Sequence, residues 1–142
     1  MRVACAQLDA KSMDAAAEVW PIVESMAGRS ESASADLLVF PEVTYPSYWL
    51  ESRERYGNAD IEHTASVLDR FSRLAAKHAI WIVAGLVEEA GGSLFNSAAV
   101  FDSCGRPAGM ARKQFMWDCD RTWFTPGNEC TVLDTEFGRM GY

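Results

Sequence analysis

Apolar residues fall along this chain in two rhythms. Short unbroken runs occur at Leu37-Leu38-Val39-Phe40, at Ile80-Trp81-Ile82-Val83-Ala84 and, less strictly, from Val3 to Leu8. Such runs suit strands buried on both faces of a sheet. Between them the period changes to that of a helix. Ala16, Val19, Ile22, Val23 and Met26 recur at helical spacing over Met13 to Ala27, and Val67, Leu68, Phe71, Leu74 and Ala75 form one stripe between about Ile61 and His78. Pro21 leaves two solutions for the first helix: a kink in a long one, or a main helix starting near Trp20 with proline in its first turn. Gly28 to Ala35 is small and polar and reads as the helix exit. His78 falls at the end of the second helix, where a charged imidazole suits the dipole.

The second half of the chain changes character. Ile80 to Val87 is β-prone and ends at Glu88-Glu89 before a Gly91-Gly92 turn, and Leu94 to Phe101 is the next strand. Ser103-Cys104-Gly105-Arg106 turns the chain into Pro107 to Phe115. Phe124-Thr125-Pro126-Gly127 marks a loop, and Cys130 to Leu133 a short strand. Two α/β crossovers are thus followed by a hairpin-like succession. Glu51 to Asp60 is charged and without period. Phe137 to Tyr142 reads as a turn and the opening of a further strand, where a frayed polar end is usual, as though the chain were cut there.

Composition narrows the field. One domain is expected from 142 residues, and 49% hydrophobic with 23% charged residues describes a globular protein rather than a disordered one. A net charge of -7 and a pI near 4.8 argue against a nucleic-acid partner. No apolar run is long enough to cross a bilayer, and the N-terminus reads as a strand rather than a signal peptide, so a cytoplasmic location is expected. Cys5, Cys104, Cys119 and Cys130 have no metal-knuckle spacing, and His63 and His78 are the only histidines. The cysteines are read as reduced and mostly structural; Cys119, between Asp118 and Asp120, is a poor nucleophile.

The chemistry centres on Glu42. Pro41 cannot donate to a sheet ladder and keeps Phe40 extended, so the strand ends there and delivers Glu42 at its carboxyl end. Open α/β sheets keep ligand crevices at such ends, and a carboxylate held there can act as a general base. A solvated loop glutamate is the plainer alternative. The loop Thr44-Tyr45-Pro46-Ser47-Tyr48-Trp49 that follows either lines a substrate pocket or packs on the sheet edge.

Taken in order, these segments resemble the nitrilase superfamily of carbon–nitrogen hydrolases. The resemblance runs through Val3-Ala4-Cys5-Ala6-Gln7, Leu37 to Glu42, Ala84 to Glu89, Phe95-Asn96-Ser97-Ala98, the turn at Gly105, Arg112-Lys113, Phe124-Thr125-Pro126-Gly127 and Asp134 to Gly141. It implies an α/β fold, part of a four-layer α-β-β-α sandwich of two mixed sheets with outer helices. It implies hydrolysis of a small amide, nitrile or carbamoyl compound by a Cys-Glu-Lys triad, without metal or organic cofactor, in a protein that forms homo-oligomers. Glu42 takes the place of the base and Lys113 that of the oxyanion stabiliser.

Asp120 aligns best with a second family glutamate, one methylene longer, that positions substrate and lysine; Asp118 aligns less well. Tyr48 and Trp117 are assigned with Asp120 to substrate positioning. The nucleophilic cysteine of the family follows a Gly-Arg-x-Gly segment, and none of the four cysteines here stands in that context. The chain therefore reads as the N-terminal part of a single hydrolase domain, inactive as it stands. Two other readings compete: a non-catalytic binding or assembly module with the same sheet, and a metal-dependent hydrolase using Glu42, Asp118 and Asp120.

Overall fold

The computed structural model describes residues 1–142. A five-stranded sheet runs in the order β1-β2-β3-β4-β5, formed by Val3–Cys5, Leu37–Val39, Trp81–Ala90, Ser93–Phe101 and Pro107–Arg112. The first three strands are parallel, and β3, β4 and β5 are antiparallel neighbours. The sheet is mixed because helical crossovers link β1 to β2 and β2 to β3, whereas tight turns link the rest. Gly91 and Gly92 both have positive φ, the backbone a two-residue hairpin loop requires, and β3 pairs with β4 without a break from Ala90↔Ser93 to Ile82↔Phe101.

Two helices, α1 (Val19–Ser32) and α3 (Thr64–His78), cover one face. Their stripes meet Leu38, Ile82, Ala84, Leu86, Ala99 and Phe101 in one core. Phe71 has no exposed surface there, and its burial contributes on the order of 2–3 kcal/mol. Residues of opposite parity, Leu37, Trp81 and Val100, face the other way and meet Leu133, Met140 and Tyr142. These belong to a second, two-stranded sheet of β6 (Val132–Thr135) and β7 (Gly138–Gly141). The layering is therefore helix, sheet, sheet.

Several expectations need correction. Strand β1 is only three residues long and mostly exposed, not buried from Val3 to Leu8, because it is the sheet edge and pairs with β2 alone. Of the two solutions at Pro21, the structure adopts the second: a 3-10 segment, Met13–Glu18, precedes α1, and proline is the third residue of the α-helix. That helix does not stop at Gly28. It runs to Ser32, with the Ser30 and Ser32 hydroxyls donating to the carbonyls of Met26 and Gly28. The second long helix starts at Thr64 rather than Ile61, since His63 is extended. A short helix, α2 (Arg53–Asn58), capped by the Ser52 hydroxyl, stands where the charged stretch had no period. Strand β3 continues through Glu88 and Glu89 to Ala90, and β6 begins at Val132 rather than Cys130.

Candidate active site

Glu42 is held by a local device written in its neighbours. The last ladder bond of β2 runs from Phe40 N to Val83 O, and pairing resumes with Thr44 N to Gly85 O. The residues between are pushed out of the sheet. Thr44 Oγ1 closes the loop by donating to Pro41 O at 2.7 Å, and Val43 adopts a φ of 43°, a strained value for a β-branched residue. Gly85 allows the close approach: a Cβ there would lie 2.5 Å from Pro41 O and 2.6 Å from Val43 N.

Lys113 follows β5 directly and is clamped through its backbone on both sides. Its N–H donates to Asn96 O on β4, and its carbonyl accepts from Gly127 N, each at 2.8 Å. Gly127 can come so near because it lacks a side chain; a Cβ would meet the Arg112 backbone at 2.6 Å. The Phe-Thr-Pro-Gly loop is thus tied to the residue just past β5 and, by Thr125 N donating to Leu94 O, to β4 as well.

The side chains converge. Lys113 Nζ donates to Glu42 Oε1 at 2.6 Å and to Asp120 Oδ2 at 2.5 Å. Asp120 opens the short helix α4 (Asp120–Trp123) and has no exposed surface. Its other oxygen accepts from Tyr48 Oη at 3.1 Å. Burial works against the Lys113 ammonium, but the hydrogen bonds to Asp120 and Glu42 outweigh it and hold the lysine above its ordinary value. The Tyr48 phenol is pushed up to about 12, first by burial and then by its bond to the Asp120 carboxylate. The cluster carries two carboxylates and one ammonium, so it is one negative charge in excess. Glu42, with 42% of its side chain exposed, is the member that opens to solvent.

Four of the five residues singled out from the sequence, Glu42, Lys113, Asp120 and Tyr48, therefore form one connected group. Trp117 does not join it. Its side chain is 70% exposed, and its part in the site is a backbone one, its carbonyl accepting from Asp120 N. The Asp118 carboxylate forms no ion pair. The Lys113 ammonium stands between Glu42 and Asp120, where the carboxylate metal reading would need its cation.

Sequence reasoning missed the support. Asn96 Nδ2 donates to Glu42 Oε1 at 2.5 Å. Glu88, expected at a strand end, is buried; it takes a bidentate contact from Arg112 and a bond from Ser97 Oγ at 2.7 Å. The signal was present in the polar pair Asn96-Ser97 within an apolar strand, since buried polar groups require partners. A cleft of about 660 Å³ opens beside the group, lined among others by Glu42, Asn96, Lys113 and Phe115. All four cysteines are free, and Cys5, Cys104 and Cys130 are exposed rather than packed. Cys130 also borders the cleft, but its sulfur contacts Gln114 rather than Glu42 or Lys113.

A family model described as carbon-nitrogen hydrolase matches residues 2–142. The chain belongs to the carbon–nitrogen hydrolase family, in the nitrilase superfamily. Among relatives of this chain is an aliphatic nitrilase from Rhodococcus rhodochrous, 29% identical over 154 aligned residues that span 99% of this chain and 42% of that protein. A bifunctional nitrilase/nitrile hydratase from Lupinus angustifolius is 28% identical over 136 residues, 83% of this chain and 39% of its own. The fold matches a Glu-to-Gln mutant of the amidase from Nesterenkonia sp. AN1 that shows the result of Michael addition of acrylamide at its active site cysteine. The TM-score is 0.84 at 20% identity, covering 99% of this chain and 56% of that one. A variant of the same amidase in complex with butyramide gives a TM-score of 0.82 at 21% identity, over 99% and 54% of the two chains. The chain thus spans about half the length of these relatives or less. No helix in it is long and apolar enough to cross a membrane.

Proposed function

We propose that these residues form part of a single thiol hydrolase domain that cleaves the C–N bond of a small amide, nitrile or carbamoyl compound. Glu42 is the general base and Lys113 the oxyanion stabiliser. The observation that carries this reading is the Lys113 ammonium 2.6 Å from Glu42 at the edge of an open cleft, with buried Asp120 fixing it from behind. Relatives named as nitrilases, and an amidase seen with acrylamide and butyramide, support the substrate class.

On an amide the steps balance as follows. Glu42 takes the proton of a cysteine thiol as its sulfur attacks the carbonyl carbon, and the oxygen gains the negative charge that Lys113 stabilises. Glu42 returns the proton to the leaving nitrogen, the C–N bond breaks and a thioester remains. Water, giving a proton to Glu42, then attacks the thioester; the C–S bond breaks, Glu42 returns that proton to the sulfur, and the acid and the free thiol are released. Asp120 takes the part of the second acid. Its shorter arm suffices because α4 brings it to hydrogen-bond distance of Lys113.

The thiol is proposed to come from outside these 142 residues, since no cysteine among them touches Glu42 or Lys113. The test measures ammonia release from a panel of small amides and nitriles. The chain is assayed alone and then extended by what its reading frame encodes after Tyr142. No turnover is expected from the chain alone, and turnover abolished by Glu42→Gln or Lys113→Met from the extended form. Turnover by the chain alone would overturn the assignment of roles.

A further inference from the structure

Two donors meet on one oxygen of Glu42. Lys113 Nζ lies 2.6 Å and Asn96 Nδ2 2.5 Å from Oε1, while Oε2 has no hydrogen-bond partner. Asn96 is only 4% exposed and sits in the middle of β4, opposite Val87 of β3. Its amide orientation follows from the chemistry, because the flipped form would set a carbonyl oxygen against a carboxylate. The same residue accepts the backbone N–H of Lys113. One strand position therefore holds the base through its side chain and the lysine through its backbone.

From this we infer that Asn96 is a positioning residue that makes Oε2 the proton-carrying oxygen of Glu42. The inference rests on the reading of Glu42 as the base. A carboxylate with both oxygens free rotates about its terminal torsion, and either oxygen can take the proton. With Oε1 engaged twice, rotation costs two charge-assisted hydrogen bonds. The proton taken from the thiol then goes to Oε2 and leaves from it to the departing nitrogen. Lys113 alone would not ensure this, since its flexible stem can follow either oxygen. Asn96, fixed in a strand, cannot. The other charged or titratable groups near Glu42 are Asp120 and Tyr48 behind Lys113, Arg112, Glu129, Cys130 and Tyr142 along the same cleft, and Asp9 and Lys11, which line a 150 Å³ pocket that Glu42 also borders. None of them donates to Glu42.

The test is NMR of the 142-residue chain at neutral pH, with carboxyl-13C glutamate and side-chain-15N asparagine and with Glu42 identified by the signal missing in Glu42→Gln. Asn96→Leu keeps the branched shape of the side chain and removes the donor. It is expected to shift the Glu42 carboxyl signal, and Lys113→Met is expected to shift it independently. An unmoved signal in Asn96→Leu with a shifted one in Lys113→Met overturns the role of Asn96 and leaves the Glu–Lys reading standing. An unmoved signal in both variants overturns that reading as well. Should Asn96→Leu lose its dispersed amide spectrum, the unsubstituted chain decides. One side-chain amide proton of Asn96 must lie downfield of the other and lose that displacement in Glu42→Gln; a proton indifferent to the substitution overturns the inference.

Discussion

A Cβ added to Gly85 would stand 2.7 Å from the Cα of Glu42. The glycine on β3 and the acid after β2 are thus two halves of one device: the loop leaves the sheet only because its neighbour has no side chain. Gly85→Ala cannot be absorbed by a rotamer change, since the atoms it meets are backbone. Overpacking of this kind costs about 1–3 kcal/mol. The expected result is a lower urea midpoint together with an altered Glu42 signal, whereas Gly57→Ala, in helix α2 with open space around it, does not lower the midpoint and leaves the Glu42 signal in place.

Asp120 is wholly buried and depends on Lys113, whose side chain is 27% exposed. Removing Lys113 leaves the buried Asp120 carboxylate without its cation, at about 3 kcal/mol, whereas removing Asp120 leaves the part-exposed Lys113 paired with Glu42 and costs less. Asp120→Ala and Lys113→Met are each expected to destabilise the chain. The double variant should lose less than the sum. A double-mutant cycle by urea denaturation checks this, and strict additivity would show that the two groups do not interact.

Glu88 is held below the usual carboxylate range, chiefly by its hydrogen bonds to Arg112, with Ser97 assisting against the cost of burial. A depressed folded value means that the contribution to stability is full above the unfolded value, near 4.5, and is lost as pH falls through the lower folded one. Stability should therefore drop on acidification below about pH 5. In Glu88→Gln that drop is expected to be smaller, as read from urea midpoints at neutral and acid pH.

Tyr48 and Lys113 act at the other end of the scale. Both hold their protons more tightly folded than unfolded, so what they contribute is present below pH 10 and lost as pH rises through the folded values. For Tyr48 the window runs from 10 to about 12. Ultraviolet titration of the phenols is expected to lose a component near pH 12 in Tyr48→Phe. Thermal melts in the same range should show a shallower alkaline decline in that variant.

What the sequence determined by itself was local. Pro41 ends β2 ahead of Glu42, Gly91-Gly92 turns β3 into β4, and the stripe from Val67 to Ala75 marks the buried face of α3. Each follows from neighbouring residues, through backbone dihedrals or helical period, and each was legible. The order of the motifs also carried the family. The misread boundaries lay where a distant partner overrides local preference. Glu88 continues a strand because Arg112 and Ser97 neutralise it, and β1 is exposed because no further strand lies beyond it.

Only the tertiary structure decided who meets whom. Glu42 and Lys113 are 71 residues apart, and Glu42 and Asn96 are 54 apart. Their contact depends on the registers that tie β2 to β3, β3 to β4 and β4 to β5 at once. A shift of one residue in any of these would turn the side chains to the opposite face. That dependence is why Asn96 looked like one polar residue in a strand, and why Trp117 was grouped with Asp120 although its ring stands in solvent.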